Sequence, residues 1–505
     1  MASTDLAKND LAEIEVADPK QENLGPQTVF HLDEHDTQVA RRLKWKLDLW
    51  TLPMITFIYL LAAMDRSDIG NAQVAGMQKA THANDGSWAN VVSLFYVGFV
   101  LGQAAGVYTL KSLTPQIVLG GAVVIWGVAI TCMIRVTSAA QAEGLRVIIG
   151  FCEGLDHSAL LYLSLWYTPK ELATRSGVFY SASSLAGAFN GLIAYGIVTN
   201  YSHKPPFEPW QWLFLIEGIL SIGYGLLVLV FLPPIPEKLK WGFTQDEKRL
   251  AVIRTQQAHN TPGSKIRWKE VLPAFKSPML YVYTMLLISC QICLSGLSSF
   301  LPALVKTMGY TAVQAQLMTV PVYAVAFVAT LFFTNMTDRT SMRGPWLMFL
   351  AASSTIGLII LIAVKTNHAA RYAGICLAAM GMYPSVMIIT TWLAINTRNY
   401  THRATGSAVT NMIAQSIVAG SVQAFTTPPY YFVGLKLALA FTAAMVPVAA
   451  FGSLYVTWVN RKKDDHECRV FSSKALLATH FPLLHVRLTP LRCSQSPSLL
   501  PACTP

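Results

Sequence analysis

The sequence predicts an all-α membrane protein of twelve transmembrane helices in two six-helix halves, and three observations predict it. Apolar windows of about 20 residues, the length that crosses a hydrocarbon core of roughly 30 Å, recur along most of the chain. Of the 505 residues, 53% are hydrophobic and only 13% charged, a balance outside that of soluble globular domains. One long polar connection then divides the windows six and six.

Residues 1–40 are polar and acidic with no apolar h-region, and 1–45, ending in the basic cluster that begins at Arg41 and Arg42, read as a disordered cytoplasmic tail rather than a cleavable signal. The first membrane helix is thus expected to act as its own uncleaved signal. The N-terminal half, 46–232, holds windows near 48–77, 88–108, 116–135, 142–166, 173–199 and 211–232. The connection, 233–278, opens with Pro233, Pro234 and Pro236, is rich in Lys and Arg, and carries an amphipathic stretch from Thr244 to Gln257. The C-terminal half, 279–460, holds windows near 279–305, 315–336, 345–364, 371–395, 405–426 and 432–459. From 461 to 505 the composition changes, periodicity is lost, and a disordered tail is expected.

A net charge of +11 in a soluble domain would suggest nucleic acid. Here the basic residues lie in short loops, mostly on the side that shares the termini, which reads as topology and places both termini in the cytoplasm of a plasma-membrane protein. The bilayer is then the expected partner, nucleic acid is not, and a monomer suffices. In that orientation Asn200 of the Asn200-Tyr201-Ser202 sequon falls in an external loop and is a glycosylation acceptor. Cys290 and Cys293 form a C-x-x-C on an apolar helix, where packing is the expected role.

Ionisable groups at membrane depth are costly, so by default they mark a pathway. The first helix carries Asp65, Arg66 and Asp68; the fourth carries Arg146, Glu153 and His157, spaced seven and four apart on one face. An arginine can hold an anion bidentately while a neighbouring carboxylate exchanges protons. The plainer alternatives are an interfacial cap on the first helix, an ion pair on the fourth, and a hydrogen-bonded structural role for His157. Gly150 and Gly154 read as packing glycines. Glu217 on the sixth helix is either a further coupling carboxylate or a structural partner. The second half offers polar uncharged groups instead; with Tyr96 on the second helix, Gln291 and Asn411 are the candidates for the substrate's polar body. No nucleotide-binding, metalloprotease or serine-hydrolase motif is present, no metal or cofactor is expected, and no enzyme is indicated.

These residues resemble the major facilitator superfamily, and within it the fungal anion:cation symporters that include allantoate, nicotinate and pantothenate permeases. The resemblance covers about residues 45–462 and is carried by YLLAAMDRSDIGNAQVAGM, LRVIIGFCEG, WQWLFLIEGIL and TDRTSMRGPW. It implies that Arg66 and Arg146 contact a small organic anion, that Asp65 and Glu153 exchange the coupling protons, and that Asp338, Arg339 and Arg343 form a gating motif. There are departures. Leu110 stands where the loop motif after the second helix has Asp, Thr334 replaces a Gly, and EGLDHSALLY replaces the usual Glu-Ala, aromatic and Pro pattern on the fourth helix. Proton-coupled import of a carboxylate is the expected function, with export of a metabolite or a non-transporting sensor as alternatives.

Overall fold

The computed structural model describes residues 34–480, apart from 168, 202–204, 240–241, 260–274, 276, 341, 398–399 and 426–430. Among the described residues the membrane region is built from α1 (Thr51–Val74), α2 (Asp85–Ser112), α3 (Gly121–Cys132), α4 (Ala139–Asp156), α5 (Pro169–Tyr201) and α6 (Pro209–Phe231) in the first half. The second half comprises α7 (Pro278–Lys306), α8 (Thr319–Thr340), α9 (Arg343–Ala363), α10 (His368–Asn396), α11 (Tyr400–Val422) and α12 (Phe432–His480). Eleven of these lie in stretches long and apolar enough to cross a membrane. The remaining one, α11, has 23 residues and so about 34 Å of length. Its apolarity is diluted by Thr410, Asn411, Gln415 and Ser421, all buried against protein. The outward faces of the bundle carry Ile219, Val230, Val328 and Leu454, more than half exposed, as a lipid-facing surface requires.

Three boundaries differ from expectation. The segment 34–45, expected in a disordered tail, belongs to a helix, Glu34–Leu49. Val39, Leu43 and Leu47 recur every four residues and bury one stripe of it, while Lys46 Nζ reaches Glu247 Oε2 at 3.0 Å on the linker helix Gln245–His259. At the other end α12 runs on to His480, twenty residues past the expected limit of 460. No glycine or proline interrupts 453–480, and residues 481–505 lie outside the described ones. The fourth window, expected as one helix, stops at Asp156 and resumes as Ala159–Ser164, so His157 sits at a break.

The N-terminal helix fixes where α1 enters the bundle. Trp50, between the two helices, stacks on Phe243 of the linker with ring centroids 5.9 Å apart and donates Nε1–H to the Phe231 carbonyl at 3.1 Å. Asp48 accepts a forked pair from Arg175 of α5, at 2.9 and 2.6 Å. Glu171, one turn earlier on α5, binds Arg254 of the linker helix at 2.5 Å and Lys44 at 3.7 Å. Together these tie the N-terminal helix, the linker helix and the start of α5 into one unit.

Helices α2 and α4 interlock through glycine. A methyl group at Gly150 or Gly154 would strike the carbonyls of Phe95 and Phe99, and one at Gly98 or Gly102 would strike those of Val147 and Phe151. This backbone-to-backbone approach brings the Phe95 and Phe99 rings over the charged residues of α1 and α4. The expected consequence is that Gly150→Ala lowers stability by about 1–3 kcal/mol through overpacking. Gly144→Ala, where nothing crowds the added methyl, is expected to be neutral or slightly stabilising. Thermal unfolding of the two purified variants in detergent checks this; equal melting would refute the interlock.

Candidate functional site

Polar side chains in an apolar helix must find partners inside the protein, and α1 and α4 find them in each other. Arg66 Nε donates to Glu153 Oε2 at 2.8 Å, and Arg146 Nη1 donates to Asp65 Oδ2 at 3.3 Å. The pairs cross, each helix supplying one guanidinium and one carboxylate. Asp65 and Glu153 have no exposed side-chain surface and Arg146 has 2%, whereas Arg66 keeps 23%. Phe99 and Phe95 lie 4.9 and 5.8 Å from the Arg66 guanidinium, and Phe95 lies 5.4 Å from that of Arg146, adding cation–π attraction.

The turn of α1 that presents these residues is pinned from α5. The Asn190 amide donates to the Met64 carbonyl at 2.9 Å and to the Ser67 hydroxyl at 2.6 Å. Behind it Asp68 is buried.

Between the halves lies a cavity of about 100 Å³, room for several waters. Its N-terminal wall includes Tyr59, Arg66, Tyr96, Phe99, His157 and Tyr180, and its C-terminal wall includes Gln291, Ser295, Ser298, Tyr383, Asn411 and Gln415. Arg66 is the guanidinium on this wall. The cavity is closed at the end of the bundle remote from the described termini. There Gln423 donates to Asn90 and Ser93 at 2.8 and 2.7 Å, Gln316 donates to the Asn71 carbonyl at 3.5 Å, and Gly70 packs on the Ser299 carbonyl.

The expected residues therefore separate into groups. Arg66, Tyr96, Gln291, Asn411 and His157 line the cavity, with His157 edge-on to Phe99 at 6.0 Å. Asp65, Arg146, Glu153 and Asp68 lie behind that wall. Arg146, expected to touch substrate directly, is held by Asp65 and has no place on the cavity surface in this arrangement. Asp338 and Arg343 pair at 3.5 Å at the junction of α8 and α9, away from the cavity, with Arg339 exposed beside them. Asn200 is exposed in the last turn of α5, its amide donating to the Gly196 carbonyl at 2.8 Å; Ser202 of its sequon lies outside the described residues. Sequence reasoning missed Tyr59, Tyr180 and Tyr383. On apolar helices they look like packing residues, and only the choice of tyrosine over phenylalanine hints at a wet face.

Among the described residues, two helical halves enclose a cavity with the Arg66 guanidinium on its wall, an arrangement suited to a membrane transporter of small solutes. The chain belongs to the Major Facilitator Superfamily, whose model matches residues 55–423. An uncharacterised transporter of Schizosaccharomyces pombe is 33% identical over 443 residues, covering 86% of this chain and 87% of its own. The high-affinity nicotinic acid transporter of Saccharomyces cerevisiae is 29% identical, with 80% and 75% covered. The MFS-type transporter cnsO of Penicillium expansum is 31% identical, with 86% of each covered. Among solved structures, a bacterial homologue of the human lysosomal transporter Spinster, inward-facing and unoccupied, superposes with a TM-score of 0.60 at 15% identity, covering 84% of this chain and 97% of that one. The Escherichia coli xylose transporter XylE, in a partially occluded inward-open form, gives 0.57 at 15% identity, covering 80% and 98%. The protein is thus a multi-pass membrane transporter of the fungal type.

Removing one partner of a buried pair leaves an uncompensated charge. Asp65→Ala, which strands Arg146, is expected to cost about 3–5 kcal/mol of stability, and Asp65→Ala with Arg146→Met to recover most of it. Melting curves of the single and double variants decide; a double variant no more stable than the single one would show that the pair is not the cause.

Proposed function

We propose that the protein is a proton-coupled symporter that imports a small organic anion, a carboxylate carried on a planar ring, across the plasma membrane with both termini cytoplasmic. The observation that carries this reading is the placement of Arg66, reachable from the cavity, with its carboxylate partner Glu153 buried behind it. While Glu153 is ionised it occupies the guanidinium; once protonated it releases Arg66 to bind the carboxylate of a substrate. Asp65 stands in the same relation to Arg146. Anion and proton then travel together, and the alternation comes from rocking the halves about the site. Closure at the end remote from the termini supports an inward-facing state in which release would occur.

The rings of Tyr59, Tyr96, Phe99, Tyr180 and Tyr383 support a flat substrate body. The amides of Gln291, Asn411 and Gln415 face them with donors and acceptors for a ring nitrogen or a carbonyl. The nicotinic acid transporter among the relatives makes nicotinate the first probe.

In yeast lacking its own nicotinate uptake, the wild type is expected to accumulate labelled nicotinate only while an inward proton gradient is present. Arg66→Ala and Arg66→Lys should both lose uptake by about a hundredfold, since the ammonium cannot reproduce the fork. Glu153→Gln should still exchange substrate but no longer accumulate it. Wild-type uptake that survives collapse of the gradient, or flux driven outward, would contradict the reading.

A further inference from the structure

Helices α1 and α4 bring together four acids, Asp65, Asp68, Glu153 and Asp156, but only two cations, Arg66 and Arg146. The cations are used by Glu153 and Asp65. Asp68 and Asp156 remain, exposed by only 1% and 3%, and in each Oδ1 has no hydrogen-bond partner. A carboxylate buried in a membrane protein without a cation of its own is relieved most simply by a proton. The groups around them fit that view. Asp68 has Asp65, the Asn190 and Asn71 side chains and Arg146 in its surroundings. Asp156 feels Arg66, follows Glu153 by one turn of α4, and precedes His157 on the cavity wall. Glu153 itself neighbours Asp65 as well as Arg66.

Their order along the bundle gives the arrangement a direction. Helix α1 runs away from the end that holds the termini, so Asp68 lies one turn from Asp65 toward the closed end. Helix α4 runs back, so Asp156 lies one turn from Glu153 toward the opposite end.

We infer that Asp68 and Asp156 extend the proton path at its two ends, so that a proton passes from Asp68 to Asp65, then to Glu153, and leaves through Asp156 to water beside His157. Asp156 first gives its own proton to water and so can take the one from Glu153. Asp68, left as the carboxylate, is reprotonated by water when its end of the bundle opens. At each transfer the donor becomes the carboxylate and the acceptor the acid. Protonated Asp65 frees Arg146, protonated Glu153 frees Arg66, and handing the proton to Asp156 restores the Arg66–Glu153 pair. This inference rests on the symport reading above, with Asp68 and Asp156 as relay residues that need not touch the substrate.

The test is an infrared pH titration of the full chain in lipid nanodiscs, with no substrate added, read in the carbonyl band of protonated carboxyl groups. The wild type should show protonated carboxyls at neutral pH. Asp68→Asn and Asp156→Asn, each isosteric with the protonated acid, should each remove part of that band, and Asp156→Glu should restore it. In vesicles carrying a pH-sensitive dye and supplied with nicotinate, Asp156→Asn should slow coupled proton entry about tenfold, with Asp156→Glu recovering most of it. A wild-type spectrum without protonated carboxyls, or a band unchanged in both asparagine variants, overturns the relay. Absence of nicotinate-coupled proton entry in the wild type would count against the symport reading instead, and the spectra would still decide where the protons sit.

Discussion

Two guanidinium–carboxylate pairs that cross between α1 and α4 are the constraint on which the rest of this structure depends. A charge in a low-dielectric interior is tolerated only with a partner at close range, so neither helix can present its arginine without the other helix's acid. The supporting features follow from that requirement. Glycines let α2 and α4 touch backbone to backbone, which sets Phe95 and Phe99 over the guanidinium groups. Asn190 of α5 pins the turn of α1 that carries Asp65 and Arg66. The N-terminal helix and linker helix, through Asp48, Lys46 and Trp50, hold the start of α1 in place.

Charge inside an apolar window is a strong signal in a sequence, and so Asp65, Arg66, Arg146 and Glu153 could be singled out before any geometry was known. Which acid meets which arginine could not, because that depends on how two helices rotate about their axes, and no spacing within one helix encodes it. The same limit explains Arg146, which shares a face with His157 in sequence yet sits behind the cavity wall that His157 lines. Tyr59, Tyr180 and Tyr383 were hidden for a different reason: a tyrosine on an apolar helix satisfies the core as well as a phenylalanine does. Asp156 falls within EGLDHSALLY, the departure of the fourth helix from the family pattern, but its burial and lack of a cation emerge only from the packing.

The ends of the chain show how composition can mislead. The Glu34–Leu49 helix is polar on average, and its stripe of Val39, Leu43 and Leu47 is too narrow to register against the acidic residues that precede it. It is ordered by what it docks on, the linker helix and the start of α5, which lie more than a hundred residues away in sequence. The extension of α12 past residue 460 follows from the absence of helix breakers after Gly452 rather than from any apolar periodicity.

The unequal chemistry of the two halves carries an evolutionary implication. Among the described residues, the charged groups at the cavity sit on its N-terminal side, while the facing wall combines amides, hydroxyls and a tyrosine with the apolar Leu294, Val386 and Met387. Exchanging one uncharged side chain there for another reshapes the recess without stranding a charge, so the range of cargo can drift across a lineage while the engine that drives it stays the same.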